Sequence, residues 1–251
     1  MENKTKSVIF FGNGLNRACG GIDWGSLLEE LAGDPMRNQK ELLQTTEIPH
    51  TLKYEAIYLS RSAGDYDSRI SETIGEQQLK EEIRQKVKSA VKDHKIDIEI
   101  YDMLANMPVS DYITTNFDNA FDSILQRRSY TPSTYCKETR YSICRYTEYT
   151  KQDEQGNIID TKRIWYIHGY IDKLSSIILG YDQYCGMLTN INRYIKGLYR
   201  KEGKVIPKIH ERLKEGNSNL KIEAWIDFFF VSDVYMIGYG LGYDEIDIWW
   251  L

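Results

Sequence analysis

The run Val8-Ile9-Phe10-Phe11 is apolar without a break and stops at Gly12-Asn13-Gly14. This is the pattern of a strand buried on both faces that ends in a tight loop. A helix is expected from Leu15 to Cys19. Asp23 or Ser26 then stands where a cap is needed before Leu27-Leu28-Glu29-Glu30-Leu31, a second short helix. Beyond Gly33 the pattern changes. As far as Lys95 the chain is rich in Glu, Gln, Lys and Arg, with helical spacing near 51–62 and 76–91 and no strong strand signal between. It reads as a helical insertion over about 33–95, with a mobile polar segment around 64–75. Ile98, Ile100, Met103 and Leu104 predict a third helix that ends before Pro108.

Residues 109–115 read as a second buried strand, followed by Asn116, Asp118 and a helix over 120–126. The Tyr- and Thr-rich stretch 130–149 suits strands and loops, and Gln155-Gly156-Asn157 suits a hairpin turn. A strand over 163–167 meets His168-Gly169, and another over 177–179 meets Gly180. Helices are expected over 183–199, 205–216 and about 220–230. The last clear strand, 234–237, runs into Gly238-Tyr239-Gly240. No internal repeat is present. Strands alternating with helices predict an α/β fold of Rossmann-like type, a mainly parallel sheet flanked by helices. In such sheets ligands bind at the carboxyl ends of the strands. The clusters at 12–16, 114–118, 168–169 and 238–244 are therefore expected to converge on one crevice.

Composition narrows the function classes. The 251 residues are 41% hydrophobic and 27% charged, which argues against both a membrane protein and a disordered one. The formal charge is −5 with no large basic block, so nucleic acid is not expected as a direct partner. Cys19, Cys136, Cys144 and Cys185 form no C-x-x-C pair. Neither a zinc ribbon nor a thioredoxin-like motif is indicated, and reduced thiols in a cytoplasmic protein are the simplest reading. The apolar run at Val8 is too short for a signal peptide or a membrane span.

Each cluster has a chemical and an ordinary reading. Gly12-Asn13-Gly14 lets backbone approach a phosphate, and it equally suits a plain strand-to-helix turn. Asn116 can donate to and accept from ribose hydroxyls or an ordered water, or it can cap a helix. Asp118 is a hydroxyl acceptor or a first-turn charge. His168 can take a proton near neutral pH or serve as a buried structural hydrogen-bonder. Gly238-Tyr239-Gly240 suits the far half of a dinucleotide, or a turn.

Taken in order, these clusters resemble the sirtuin family. That family opens with a G-A-G-I-S loop, three residues, and G-I-P-D-F-R. Here Gly12-Asn13-Gly14-Leu15-Asn16 is followed by Arg17-Ala18-Cys19 and Gly20-Gly21-Ile22-Asp23-Trp24-Gly25. The family's T-Q-N-I-D is matched by Thr114-Thr115-Asn116-Phe117-Asp118, its H-G by His168-Gly169, and its late G-T-S by Gly238-Tyr239-Gly240. The family's two C-x-x-C pairs are absent, and Gly25 stands where it has Arg. Protein deacylases of the family grip their acyl-lysine peptide against that zinc module. The resemblance is therefore nearer to the zinc-free sirtuin-like domains of bacterial antiphage defence proteins, which hydrolyse NAD to nicotinamide and ADP-ribose.

What the resemblance implies is a single sirtuin-like domain over 1–251 that takes NAD as substrate and needs no metal. Asn116 would orient the ribose hydroxyls and a water, and His168 would be the general base. Thr115 and Asp118 would help position the ribose, with Asp23 and Trp24 on the nicotinamide side. Gly12, Asn13, Gly14 and Asn16 would hold the pyrophosphate, and Gly238, Tyr239 and Gly240 the adenosine half. An NAD-dependent protein deacylase and a non-catalytic NAD or ADP-ribose sensor are the alternatives. Partners implied are further copies of the chain, or additional domains or subunits of a defence system. The ending Ile246-Asp247-Ile248-Trp249-Trp250-Leu251 carries no polar tail. It predicts either continuation by at least another helix or burial in an oligomer.

Overall fold

The computed structural model describes residues 6–21, 23–33, 43–45, 47–62, 68–93, 98–135, 140–214, 220–242 and 245–251. Ile22, Cys136, the last two positions of the 238–244 cluster, and parts of the expected insertion and its polar segment lie outside them.

The buried run at the N-terminus is β1 (Lys6–Phe11), and the next is β2 (Asp111–Thr114). They join β3 (Thr131–Tyr135), β4 (Tyr146–Gln152), β5 (Ile158–Tyr166) and β8 (Ser232–Ile237) in one sheet of order β3-β4-β5-β2-β1-β8. β5, β2, β1 and β8 run parallel, and β3-β4 extends the sheet antiparallel from β5. The order places β2 and β8 on opposite sides of β1, with Ile9 paired to both Tyr112 and Tyr235.

The strand pleat sorts apolar side chains onto two faces. Val8, Phe10, Ile113 and Trp165 join one core cluster, while Ile9, Phe11, Tyr112, Ile164 and Tyr166 join another. A strand needing both faces apolar reads as a continuous hydrophobic run, which explains Val8 to Phe11. The second face is covered by α1 (Asn13–Ala18), α5 (Ile98–Asn106) and α6 (Ala120–Arg127). The first face is covered by α7 (Tyr181–Ile195), α9 (Phe228–Val231) and α10 (Ile246–Trp249). Between β1 and β2 stand α2 (Trp24–Ala32), α3 (His50–Ser62) and α4 (Ser68–Asp93). Leu27, Leu31, Ile57 and Ile83 from these three helices bury Phe117, Ile171 and Ile177, which follow the ends of β2 and β5. This helical layer thus sits against the carboxyl ends of the strands.

Three expectations differ from the structure. Residues 177–179 are not a strand. Both neighbours of β5 are already taken, so Ile177 and Ile178 are buried instead by the helical layer and the sheet core, after a 3-10 turn at Leu174–Ser176. Among the described residues, the helix expected over 205–216 starts only at Ile209, as α8 (Ile209–Lys214). Glu202 and Gly203 both take positive φ and turn β6 (Arg200–Lys201) back onto β7 (Lys204–Val205), and Pro207 follows. Over 220–230 a 3-10 turn at Trp225–Asp227 precedes the four-residue α9, with no helix before Trp225. Among the described residues no helix is long and apolar enough to cross a membrane.

Candidate active site at the strand ends

The glycine loop after β1 and the glycine loop after β8 interlock. Gly12 N–H donates to the Ile237 carbonyl at 3.2 Å and Gly14 N–H to the Gly238 carbonyl at 2.7 Å. A Cβ on Gly14 would stand 2.5 Å from the Gly238 oxygen, and one on Gly238 (φ +61) would stand 2.4 Å from Leu15 N. Backbone meets backbone here, so these glycines have a packing reason independent of any ligand. The Tyr239 ring stacks on Phe10 with centroids 4.7 Å apart. Asn13, Gly14, Gly238, Tyr239 and Gly240 line one open cleft with Arg17.

The near wall of this cleft comes from the start of α2. Asp23 caps the helix, accepting from Ser26 N–H at 3.1 Å and from Ser26 Oγ at 2.6 Å. The Ser26 hydroxyl bond holds the Asp23 carboxyl below the usual carboxylate range. Trp24 packs on Phe117 with centroids 4.7 Å apart. Asp23, Trp24, Thr115, His50 and Glu245 line the same cleft.

At the end of β2 the chain turns where Asn116 N–H donates to Thr114 Oγ1 at 3.0 Å. The Asn116 amide lies behind the glycine loop, its Nδ2 3.4 Å from the Gly12 carbonyl. Asn116 is only 4% exposed, yet its Oδ1 has no hydrogen-bond partner among the described residues. Asn16 and Asp118 are bound to each other instead. Asn16 Nδ2 donates to Asp118 Oδ2 at 2.5 Å, the Tyr101 hydroxyl donates to Asn16 Oδ1, and Asp118 Oδ1 accepts from Ala120 N–H at 2.9 Å. Burial pushes the Asp118 carboxyl above its ordinary range. This network ties α1, α5 and α6 together, which gives Asn16 and Asp118 a structural bond in addition to any ligand contact.

His168 follows β5 as Asn116 follows β2. Thr114 pairs with Tyr166, and Ile167 N–H donates to the Thr114 carbonyl at 3.1 Å. Asn116 and His168 therefore each lie two residues past a paired position on neighbouring parallel strands. Gly169 turns the chain with φ +103, where a Cβ would meet the Ser176 oxygen at 2.3 Å. The imidazole is 4% exposed. Its Nε2 is 2.9 Å from Asp247 Oδ2 and 3.8 Å from Glu245 Oε2, and its Nδ1 is 3.2 Å from the Tyr184 hydroxyl. His168 lines a small pocket of about 50 Å³ that shares Trp24, His50, Thr115 and Glu245 with the open cleft.

Glu245, Asp247, Tyr184, His50 and Arg17 are the residues that sequence reasoning missed. None adjoins a strand-ending glycine, although Arg17 lies within the opening motif. Among the described residues, His168, Glu245 and Asp247 form the one group of metal-ligand side chains, their ligand atoms within 4.8 Å of one another. The 2.9 Å separation of Nε2 and Oδ2 is that of an N–H···O hydrogen bond. A proton on the imidazole accounts for that contact.

A profile of the SIR2-like domain family matches residues 110–249, more than half of the chain. The matched segment includes Asn116, His168, Gly238-Tyr239-Gly240 and Asp247. The NAD(+) hydrolase ThsA of Bacillus cereus (strain MSX-D12) is 25% identical over 195 residues, 76% of this chain and 34% of that protein. The chain thus spans about a third of the length of this relative.

Proposed function

The chain belongs to the SIR2-like domain family, and from that premise we propose that it is a NAD hydrolase, cleaving the nicotinamide–ribose bond to give nicotinamide and ADP-ribose. The observation that carries the proposal is the meeting of parallel strand ends. β1 and β8 bring Asn13, Gly14 and Gly238-Tyr239-Gly240 to the open cleft, and β2 brings Thr115. β5 brings His168 to the pocket that shares Thr115 and Trp24 with it.

The chemistry follows from these groups. As nicotinamide leaves with the bonding electrons, positive charge grows on the ribose. Glu245, which lines both spaces, supplies a carboxylate that favours that charge. Arg17 in the open cleft suits the pyrophosphate. A buried acceptor left unsatisfied costs about 1–3 kcal/mol, so the Asn116 Oδ1, without a partner among the described residues and behind the lining of both spaces, favours a donor such as a bound water or ribose hydroxyl. His168 takes the proton of the attacking oxygen. ThsA is named for NAD hydrolysis, and the resemblance to antiphage domains extends the proposal to a cytoplasmic effector. In that role it works with further copies, domains or subunits.

The purified protein, incubated with NAD, should release nicotinamide and ADP-ribose in equal amounts by chromatography. His168→Ala and Asn116→Ala should each lower that release by about 100- to 10,000-fold with the fold retained by circular dichroism. His168→Ala, which leaves buried Asp247 without its partner, should nonetheless melt earlier. Wild-type turnover in both variants would remove the residues from the mechanism. NAD consumption that requires an added acyl-lysine peptide would favour a deacylase, and saturable NAD binding without product would favour a sensor.

A further inference from the structure

Both ring nitrogens of His168 are engaged by protein groups distant in sequence, and the chemistry of those groups fixes the ring. Asp247 is fully buried and its carboxylate only accepts hydrogen bonds. Oδ1 takes the N–H of Ile248 at 3.1 Å, and Oδ2 lies 2.9 Å from His168 Nε2. Two acceptors cannot bond, so one proton sits between Oδ2 and Nε2. A neutral imidazole carries one N–H, and donating it to the Asp247 carboxylate places it on Nε2. Nε2 is then the N–H and Nδ1 carries the lone pair, 3.2 Å from the Tyr184 hydroxyl, which also lies 3.4 Å from Glu245 Oε2.

We propose that Asp247 is the positioning residue of the site, fixing the His168 tautomer so that Nδ1 is the base and balancing the imidazolium that forms. The inference rests on the hydrolase reading and deepens it. In the reaction Nδ1 takes a proton from the attacking water. The oxygen's electron pair forms the new bond to the ribose carbon, and the carbon–nitrogen pair departs with nicotinamide. The proton on Nε2 stays in its bond to Asp247. The titratable groups facing the ring are Asp247 and Glu245 from the last residues, Tyr184 from α7, and His50 and Tyr54 from α3 across the pocket.

Burial of Ile248 in the sheet-face core and the packing of α10 on α7 carry Asp247 to the ring. A residue near the last position of the sequence thereby governs chemistry at the end of a central strand.

Nitrogen-15 imidazole NMR on the wild-type protein near neutral pH reads the tautomer directly, with the His168 signal assigned by its loss in His168→Ala. The expected result is the proton on Nε2, retained in Tyr184→Phe and lost or mixed in Asp247→Ala. In NAD turnover, Asp247→Asn keeps the side-chain shape and should lower kcat by about 100-fold or more with KM held within about threefold. The acid limb of its kcat/KM profile should move to lower pH, because the imidazolium has lost its anionic partner. A wild-type proton on Nδ1 overturns the proposal. So does a fall in kcat with no change in tautomer or acid limb, which is what a merely structural role would give. If no NAD is cleaved at all, the hydrolase reading fails, while the tautomer measurement still decides the role of Asp247.

Discussion

Substituting alanine for Gly14 separates loop packing from ligand binding as the reason for the glycines after β1. The new Cβ would lie 2.5 Å from the Gly238 oxygen, 2.9 Å from its carbonyl carbon and 3.0 Å from its Cα. All three are backbone atoms, so no side chain can swing aside. The loops must part, stretching the 2.7 Å bond from Gly14 N–H to the Gly238 carbonyl. Overpacking of this kind costs about 1–3 kcal/mol, and alanine returns up to about 1 kcal/mol of helix propensity within α1. The net loss of about 1–2 kcal/mol should lower Tm by roughly 2–8 °C for a chain of this size. Gly240 is the control. A Cβ there meets nothing within 4 Å, so Gly240→Ala should stay within about 0.5 kcal/mol of wild type. Scanning calorimetry with and without NAD makes the comparison. Gly14→Ala should melt early in both conditions, whereas Gly240→Ala should differ from wild type only in the shift that NAD adds. A Gly14→Ala protein that melts with wild type would refute the packing explanation.

Two further predictions concern the core. Asp122 is buried under the sheet, its Oδ1 accepting from Tyr149 at 2.5 Å and also from Tyr166, and burial raises its carboxyl to about 6. A folded value above the unfolded one contributes stability that is full below about 4 and is lost as pH rises through about 6. Asp122→Asn keeps the accepting oxygen, so its stability relative to wild type should grow between pH 4 and 7 by on the order of 3 kcal/mol; urea denaturation with a pH-independent difference would contradict this. Arg212 makes a two-pronged pair with fully buried Asp227 at 2.9 and 3.0 Å. Arg212→Ala leaves that carboxylate without its cation and should cost about 3–5 kcal/mol by the same method. Conversely, a loss below about 1 kcal/mol would show that the Tyr194 hydroxyl and the Glu223 N–H suffice for Asp227.

β1 was legible because burial on both faces writes it as an unbroken apolar run, and glycine marks where β1 and β8 must turn. The same rule misread Ile177-Ile178-Leu179. A short apolar run records burial, and burial is as complete between a helical layer and a sheet face as it is within a sheet. Ile178 N–H is satisfied by the His168 carbonyl at 2.9 Å, so the segment braces the histidine without pairing as a strand. The region after Tyr199 was misread because helical spacing outweighed the turn chemistry of Glu202-Gly203 and the stop imposed by Pro207.

At the site, what was legible is what is local. Asn116, His168 and the glycines sit beside strand ends, where residue type and position point to a ligand together. Tyr184 and Asp247 carry no such mark, since each lies in helical sequence and reaches His168 only through tertiary packing. Ile246-Asp247-Ile248-Trp249 reads as an apolar ending, yet the burial of Ile248 is what sets Asp247 beneath the imidazole. Asn16 and Asp118 show the converse. Their motif positions point to the ligand, while their side chains spend hydrogen bonds on each other. On the proposed reading, strand ends deliver the groups that touch substrate, and the helices packed on them set the protonation state in which those groups work.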